Sequence, residues 1–402
     1  MLTKESLDQE LIKQVIVSEI SFDRDLRIDF LRGIVMFILI IVHSEFFSYY
    51  NYLVWERIGI ISGGEGFVIL SGFVIGMVYK KKIAKNGWKD ICLKLFDRAF
   101  QLYRINIFII ISIGFISLLG IFNTQVVTSF VDHAANKTYS LYPAPNSSIY
   151  LMIKQLLFLQ IGPHETQILG LYVFLLMLSP LSLFFMFNKR TSIILTLSWI
   201  AYFYNCVSPT NITGSQFENG FPLFTWQLIY FHGMAVGFHR EKIKKMLNPV
   251  NKNRVLTISV FLFLCFFFFA QNTTNQLIPE SFKLHIIPPS VFNSIYEQYF
   301  MKNTLGILRL LNYLVVLICA YQLLTVYWEK INKWSGWFFI PIGQASLYVF
   351  IVHVYIVMIL SNFVDFQFSH DHMIINTLAH TLILFIIWLM VKNKVLFAWI
   401  PR

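Results

Sequence analysis

An arginine and a histidine, Arg32 and His43, carry the strongest chemical signal in the chain. They belong to R-D-L-R-I-D-F-L-R-G-I-V-M-F-I-L-I-I-V-H, which opens on charges (Arg24, Asp25, Arg27, Asp29, Arg32) and is apolar from Gly33 to Val42. At about 100° per residue, the spacing returns to within about 20° of the same helix face. A rise of about 1.5 Å per residue puts the two groups roughly 16 Å apart along one stripe. That is about half of a hydrocarbon core roughly 30 Å thick, so the stripe would join an interface to a point deep in a membrane. An imidazole there suits a general base or nucleophile. The plainer alternative is a core histidine hydrogen-bonded to a helix backbone.

Ionisable groups at membrane depth are costly, which makes each a functional candidate: His43, Glu45, Glu65, Arg98, Arg104, His232 and His353. Gly63-Gly64-Glu65-Gly66 sets a carboxylate among residues that permit close helix approach, in the half where His43 is expected. A carboxylate orienting a histidine base recurs in acyl transfer; the alternative for Glu65 is counter-ion to an arginine. Arg98 and Arg104, with Lys94 and Lys80–Lys82, form a basic face at the expected cytoplasmic mouth. Topology signalling accounts for the three lysines. A buried Arg104 needs an anion, either Asp97 or a ligand phosphate.

The elements that must position these groups follow from composition. Of 402 residues, 56% are hydrophobic and 13% charged, with 41 Phe, more apolar surface than a soluble domain needs. The net charge of +11 gathers in short loops between apolar runs, a positive-inside pattern and not a nucleic-acid surface. The first apolar run follows a charged leader and lacks a small-residue cleavage site, so it does not read as a cleaved signal. Cys92, Cys206, Cys265 and Cys319 have no metal-type spacing, so neither a metal site nor a disulfide framework is expected. The expected fold is all-α, a polytopic integral membrane helix bundle of about ten transmembrane helices plus one re-entrant or interfacial segment. The expected spans are 30–49, 58–79, 93–122, 168–187, 192–207, 222–238, 255–270, 305–327, 338–363 and 373–391, with 149–161 too short to cross. Domain boundaries are expected as a cytoplasmic amphipathic leader over 1–29 (Leu7, Leu11, Val15 and Ile16 on one side), a membrane domain over 30–391 and a cytoplasmic tail over 392–402. Four N-x-S/T sequons (Asn136, Asn146, Asn211, Asn272) fall in expected outer loops; loop composition explains them as readily as glycosylation.

The chain resembles the membrane acyltransferase-3 superfamily, and within it the OpgC-domain branch, named for succinyltransferases of osmoregulated periplasmic glucans. Four motifs carry the resemblance: R-G-I-V-M-F-I-L-I-I-V-H with Arg32 and His43; G-E-G-F-V-I-L-S-G-F-V-I with Glu65 at the acidic position and Ser71-Gly72-Phe73 closing it; D-R-A-F-Q-L-Y-R with Arg98 and Arg104; and I-G-Q-A-S-L-Y-V-F-I-V-H with Ser346 and His353. R-D-L-R-x-D at the start and F-x-W-Q-L over Phe224–Leu228 point to the branch. The chain departs from the superfamily pattern twice, with Glu65 in place of aspartate and no adjacent Arg-Arg pair in the arginine motif.

The resemblance implies transfer of an acyl group, succinyl or acetyl, from cytoplasmic acyl-CoA to a hydroxyl of a periplasmic or cell-surface glycan. It implies a bacterial inner membrane location and no tightly bound cofactor beyond the acyl-CoA donor; the alternation of basic loops places both termini in the cytoplasm, and an oligomer is left open. His43 and Glu65 would be catalytic, Arg32, Arg98 and Arg104 would bind the donor, and Ser71, Trp226, Ser346 and His353 would position the acceptor or the helices. Tyr52, Trp55, Trp226, Tyr230 and Tyr296 are the expected sugar-facing aromatics, or an interfacial belt. The alternative from another class is a transporter or flippase using the buried His, Glu and Arg as an ion relay.

Overall fold

The computed structural model describes residues 24–44, 46–132, 137–144, 146–246, 249–363 and 372–402. The expected leader helix before Arg24, Glu45 and the Asn136 sequon lie outside these residues. Helix α1 (Leu26–His43) is capped by Asp25, whose carboxylate accepts from the Arg27 amide at 3.1 Å, and it stops at His43, short of the Tyr49 end expected. Helix α2 (Gly63–Asn86) opens on Ser62 and Glu65 as a reciprocal cap. It carries Lys80–Lys82 and Lys85 as helix where a loop was expected, since solvated lysines are good helix formers.

Helix α3 (Trp88–Leu119) is followed by an unexpected antiparallel hairpin, β1 (Ser129–Asp132) with β2 (Lys137–Ser140), in register Phe130 to Tyr139. Next come α4 (Ile149–Leu157), with no buried residue and too short to cross, α5 (Gln167–Phe187), α6 (Thr191–Val207), α7 (Leu223–Phe238), α8 (Arg240–Met246) and α9 (Pro249–Ala270). Helix α10 (Pro289–Tyr299), with proline at its first position, occupies what was expected as a plain outer loop. Helix α11 (Ile307–Val326) leads through a single turn (Trp328–Ile331) and a π-turn (Asn332–Gly336) into α12 (Trp337–Gln344). Helices α13 (Ser346–Leu360) and α14 (Met373–Lys392) complete the bundle.

Among the described residues, five helices are long and apolar enough to cross a membrane, or six if the bent pair Trp328–Gln344 plus Ser346–Leu360 counts as one span. The single straight span expected over 338–363 is therefore corrected: the chain turns by 88° at Ala345. The other expected spans fall short by length or polarity: α1 carries Arg27, Asp29 and Arg32, α2 mixes glycines with Glu65 and lysines, and α6 and α7 run to only 17 and 16 residues. Thirteen of the sixteen residues of α7 are buried, whereas the apolar window of α9 is only 11% buried. A helix surrounded by protein packs through small and polar residues; a helix facing lipid must be apolar.

Helices α2 and α7 meet through reciprocal small-residue repeats. Gly72 and Gly76 face the Tyr230 and Met234 carbonyls, and Gly233 and Gly237 face those of Ile69 and Phe73, each too close for a side chain. Backbone approach of this kind replaces the missing hydrophobic drive between helices in lipid with close van der Waals packing. Helices α1 and α12 do the same, Gly33 against the Phe339 carbonyl and Gly343 against that of Asp29. So α1, which carries the Arg32–His43 stripe, is held by backbone contact before any side chain is considered.

Candidate active site

Two polar contacts tie α1 to α13. Arg32 Nη2 donates to Ser346 Oγ at 2.5 Å, and His43 Nδ1 lies 2.9 Å from His353 Nε2 with the rings stacked at 5.2 Å. Ser346 and His353 are both buried. The contacts run in the same order along both helices, so α1 and α13 are parallel, and the long arginine side chain spans the difference in spacing. Ser346 is the first residue of α13, immediately after the bend, which is why its hydroxyl is free of the helix above it.

At the Arg32 end, Asp29 takes two hydrogen bonds from Arg24 (2.6 and 2.9 Å) and lies 3.9 Å from Arg32 Nη1. Asp25 bonds Arg27 and Arg240, and Tyr321 donates to it at 3.1 Å. Burial pushes the Asp25 carboxyl up, but the Arg27 and Arg240 guanidiniums outweigh it and hold it below the usual carboxylate range. Arg98 donates to Gln101 at 2.5 Å and to the Arg402 carbonyl at 3.1 Å, within electrostatic reach of Arg32. Arg104 departs from expectation. It is exposed and lies over the Phe100 ring at 4.8 Å, so no buried charge there calls for Asp97 or a phosphate.

Glu65 also differs. Its carboxylate accepts from the Ser62 backbone at 3.0 Å and from Arg309 Nε at 2.5 Å, both side chains almost fully buried. Arg309 Nη1 continues to Glu56 at 2.9 Å and the Phe300 carbonyl at 3.0 Å. The contact between Glu65 and His43 expected from the motif is replaced by this arginine anchor. Trp226 is fully buried against Phe221 (4.8 Å, edge to face), and Tyr230 bonds Ser179 at 2.8 Å, which takes both away from a sugar-facing surface. Ser71 sits half-buried on α2 beside Tyr172. His232 is a core histidine, bonded to the Leu228 carbonyl (2.8 Å) and to Trp199 Nε1 (3.1 Å). Of the sequons, Asn146 and Asn211 are exposed, but Asn272 is buried and its amide caps neighbouring backbone.

Two residues join the His43 site that the motifs did not flag. His164, at the end of Gly162-Pro163-His164-Glu165, places its ring 6.4 Å from His43, with Glu165 Oε2 3.5 Å from its Nδ1. Lys302, in the loop before α11, lies over Phe221 at 5.3 Å and within electrostatic reach of His43 and His164. Burial lowers the Lys302 pKa against the pull of Glu65. Lys302 and Ser62 line a cavity of about 370 Å³ together with Ile38 and Val42 of α1, one turn of helix from His43. The only advance signal for His164 was the Gly-Pro turn ahead of it.

The histidine pair shares one proton-bearing contact between Nδ1 of His43 and Nε2 of His353. His353 Nδ1 is buried without a hydrogen-bond partner among the described residues, so the contact with His43 is the ring's one side-chain hydrogen bond there. The bond can run either way; with the His353 proton on Nδ1, its Nε2 accepts. His43 then donates from Nδ1 and leaves its Nε2 lone pair open. His43 as a whole is half-buried.

The fold and site define a polytopic helical protein with an Arg–Ser and His–His ladder, buried on the α13 side, along its central helix. The chain matches the family described as OpgC protein over residues 24–399, and it belongs to that family. Membership makes an OpgC-like, glycan-modifying acyltransferase its functional class. No curated protein matches the chain.

Proposed function

We propose that the protein, as a member of the acyltransferase-3 superfamily, moves an acyl group from cytoplasmic acyl-CoA to a hydroxyl of a periplasmic or cell-surface glycan. The observation that carries this reading is the ladder itself: Arg32–Ser346 and His43–His353 at two depths between the same parallel helices. Arg32 and Arg98 would meet the anionic donor at the basic end, since guanidinium forks suit phosphate oxygens. His43 Nε2 would take the proton of the acceptor hydroxyl as its oxygen attacks the thioester carbonyl. The C–O bond forms, the C–S bond breaks, and the proton passes from His43 to the departing thiolate. His353 would fix the tautomer of His43. Glu65 would serve through Arg309, anchoring α2 to α11, and not as the partner of the base. In this reading the protein lies in a bacterial inner membrane with about ten spans and both termini cytoplasmic. Mass spectrometry of surface and periplasmic glycans from cells with and without the gene tests it. An acyl-sized mass difference on one glycan supports the proposal, and identical glycan profiles from a strain that expresses the protein refute it.

A further inference from the structure

Away from the histidines, a cavity of about 490 Å³ lies among α1, α2, α7, α9 and α11. Its depth is walled by carbon, including Leu31, Phe73, Leu314 and Leu317, while Arg240, Lys244, Tyr321 and Gln322 gather at one end. This is the end of the bundle that carries the Arg27–Asp25–Arg240 bridge. Val236 and Leu314 line the cavity and are each 48% exposed on the outer, apolar flank, so it opens sideways between helices. Gln322 is about nine-tenths buried, and its amide has no hydrogen-bond partner among the described residues. His232 reaches the cavity with both ring nitrogens already engaged.

From this shape we infer that the cavity is a binding site for one anionic phospholipid. An acyl chain fills the carbon-walled depth, Gln322 meets the ester region, and Lys244 faces the phosphate beside the Asp25-paired Arg240 and Tyr321. Three features select that occupant. The lateral opening admits a ligand from the bilayer. The polarity is confined to one end, as an amphiphile requires. The charge at that end is basic, and a cationic residue near the headgroups favours anionic lipid. A pantetheine arm fits poorly, because its amides would enter a space along whose wall, among the described residues, Gln322 is the only side-chain amide. The inference does not depend on the acyl-transfer reading.

Native mass spectrometry of the full chain, released from nanodiscs of equimolar dioleoyl phosphatidylglycerol and dioleoyl phosphatidylcholine, tests it. One retained phosphatidylglycerol is expected on the wild type. Leu317→Trp fills the cavity and should abolish retention. Lys244→Glu, at a half-exposed side chain whose change leaves the core untouched, should cut the preference for phosphatidylglycerol by about tenfold. Equal retention of the two lipids by the wild type, or an unchanged preference in Lys244→Glu, overturns the proposal. So does displacement of the lipid by added coenzyme A, which would assign the cavity to the donor.

Discussion

Replacing Arg309 with methionine removes the cation from the most buried ion pair described in the protein. Arg309 is wholly buried and Glu65 is 1% exposed, so the carboxylate left behind has neither water nor a guanidinium. Breaking such a pair from one side costs about 3–5 kcal/mol, most of it the desolvated charge that remains. Ser62 still donates to Glu65 in the variant and offsets part of this. Glu56, a third exposed, regains water at little cost. A loss of about 3 kcal/mol is therefore expected for Arg309→Met, and a comparable loss for Glu65→Gln. The double variant should recover at least half of it, because no lone charge is left. Thermal unfolding of the four proteins in one detergent closes the cycle. Single variants that each cost less than about 1 kcal/mol, or a double variant that shows no recovery, refute the anchor. The same proteins settle the role of Glu65. A double variant that folds and keeps its turnover leaves Glu65 structural, whereas one that folds without turnover returns it to the base.

Three further outcomes follow from the geometry. Gly76→Leu drives a side chain into the Met234 carbonyl and should cost about 3 kcal/mol or prevent folding, while Gly114→Ala, with its nearest neighbour 3.4 Å away, should be tolerated in the same unfolding assay. Asp25 ionises at lower pH when folded than when unfolded, so its bridge to Arg27 and Arg240 stabilises the protein above about pH 4 and is lost as pH falls through the folded pKa. Asp25→Asn should flatten that acid limb of the unfolding curve and lower stability at neutral pH. Arg32→Gln should raise the KM for acyl-CoA about tenfold with little change in kcat at saturating donor; donor and acceptor parameters falling together would make Arg32 a helix tie to Ser346 alone.

The central helix was legible because its signal is local: charges, an apolar run and a histidine fall within one element, and period alone aligns them. The pairing of α1 with α13 was half legible. The motifs named Ser346 and His353, but their partners Arg32 and His43 lie more than 300 positions away and only the fold joins them. Arg309 was missed for the same reason. One arginine in the first turn of an apolar helix looks like a topology charge, and its partner Glu65 is 244 residues distant. Trp226 and Tyr230 were misplaced because an aromatic at the membrane interface and one in the core have the same sequence signature. The bend at Ala345 left no mark in the hydropathy, since both arms are apolar. Ten spans were expected, but α1 carries charges, α2 carries glycines and lysines, and α6 and α7 are one turn or so short, so length and composition single out fewer among the described residues.

The most direct measurement is turnover of His43→Ala against wild type and His353→Ala, in purified protein with acyl-CoA and the acceptor glycan identified by mass spectrometry. General-base assistance contributes about 10²–10⁴ in rate, so His43→Ala should lose that much while still folding and binding acyl-CoA. His353→Ala should lose less, because it removes only the group that sets the tautomer of the base. Near-normal turnover in His43→Ala, with a folded and inactive His353→Ala, contradicts the account and places the base on α13.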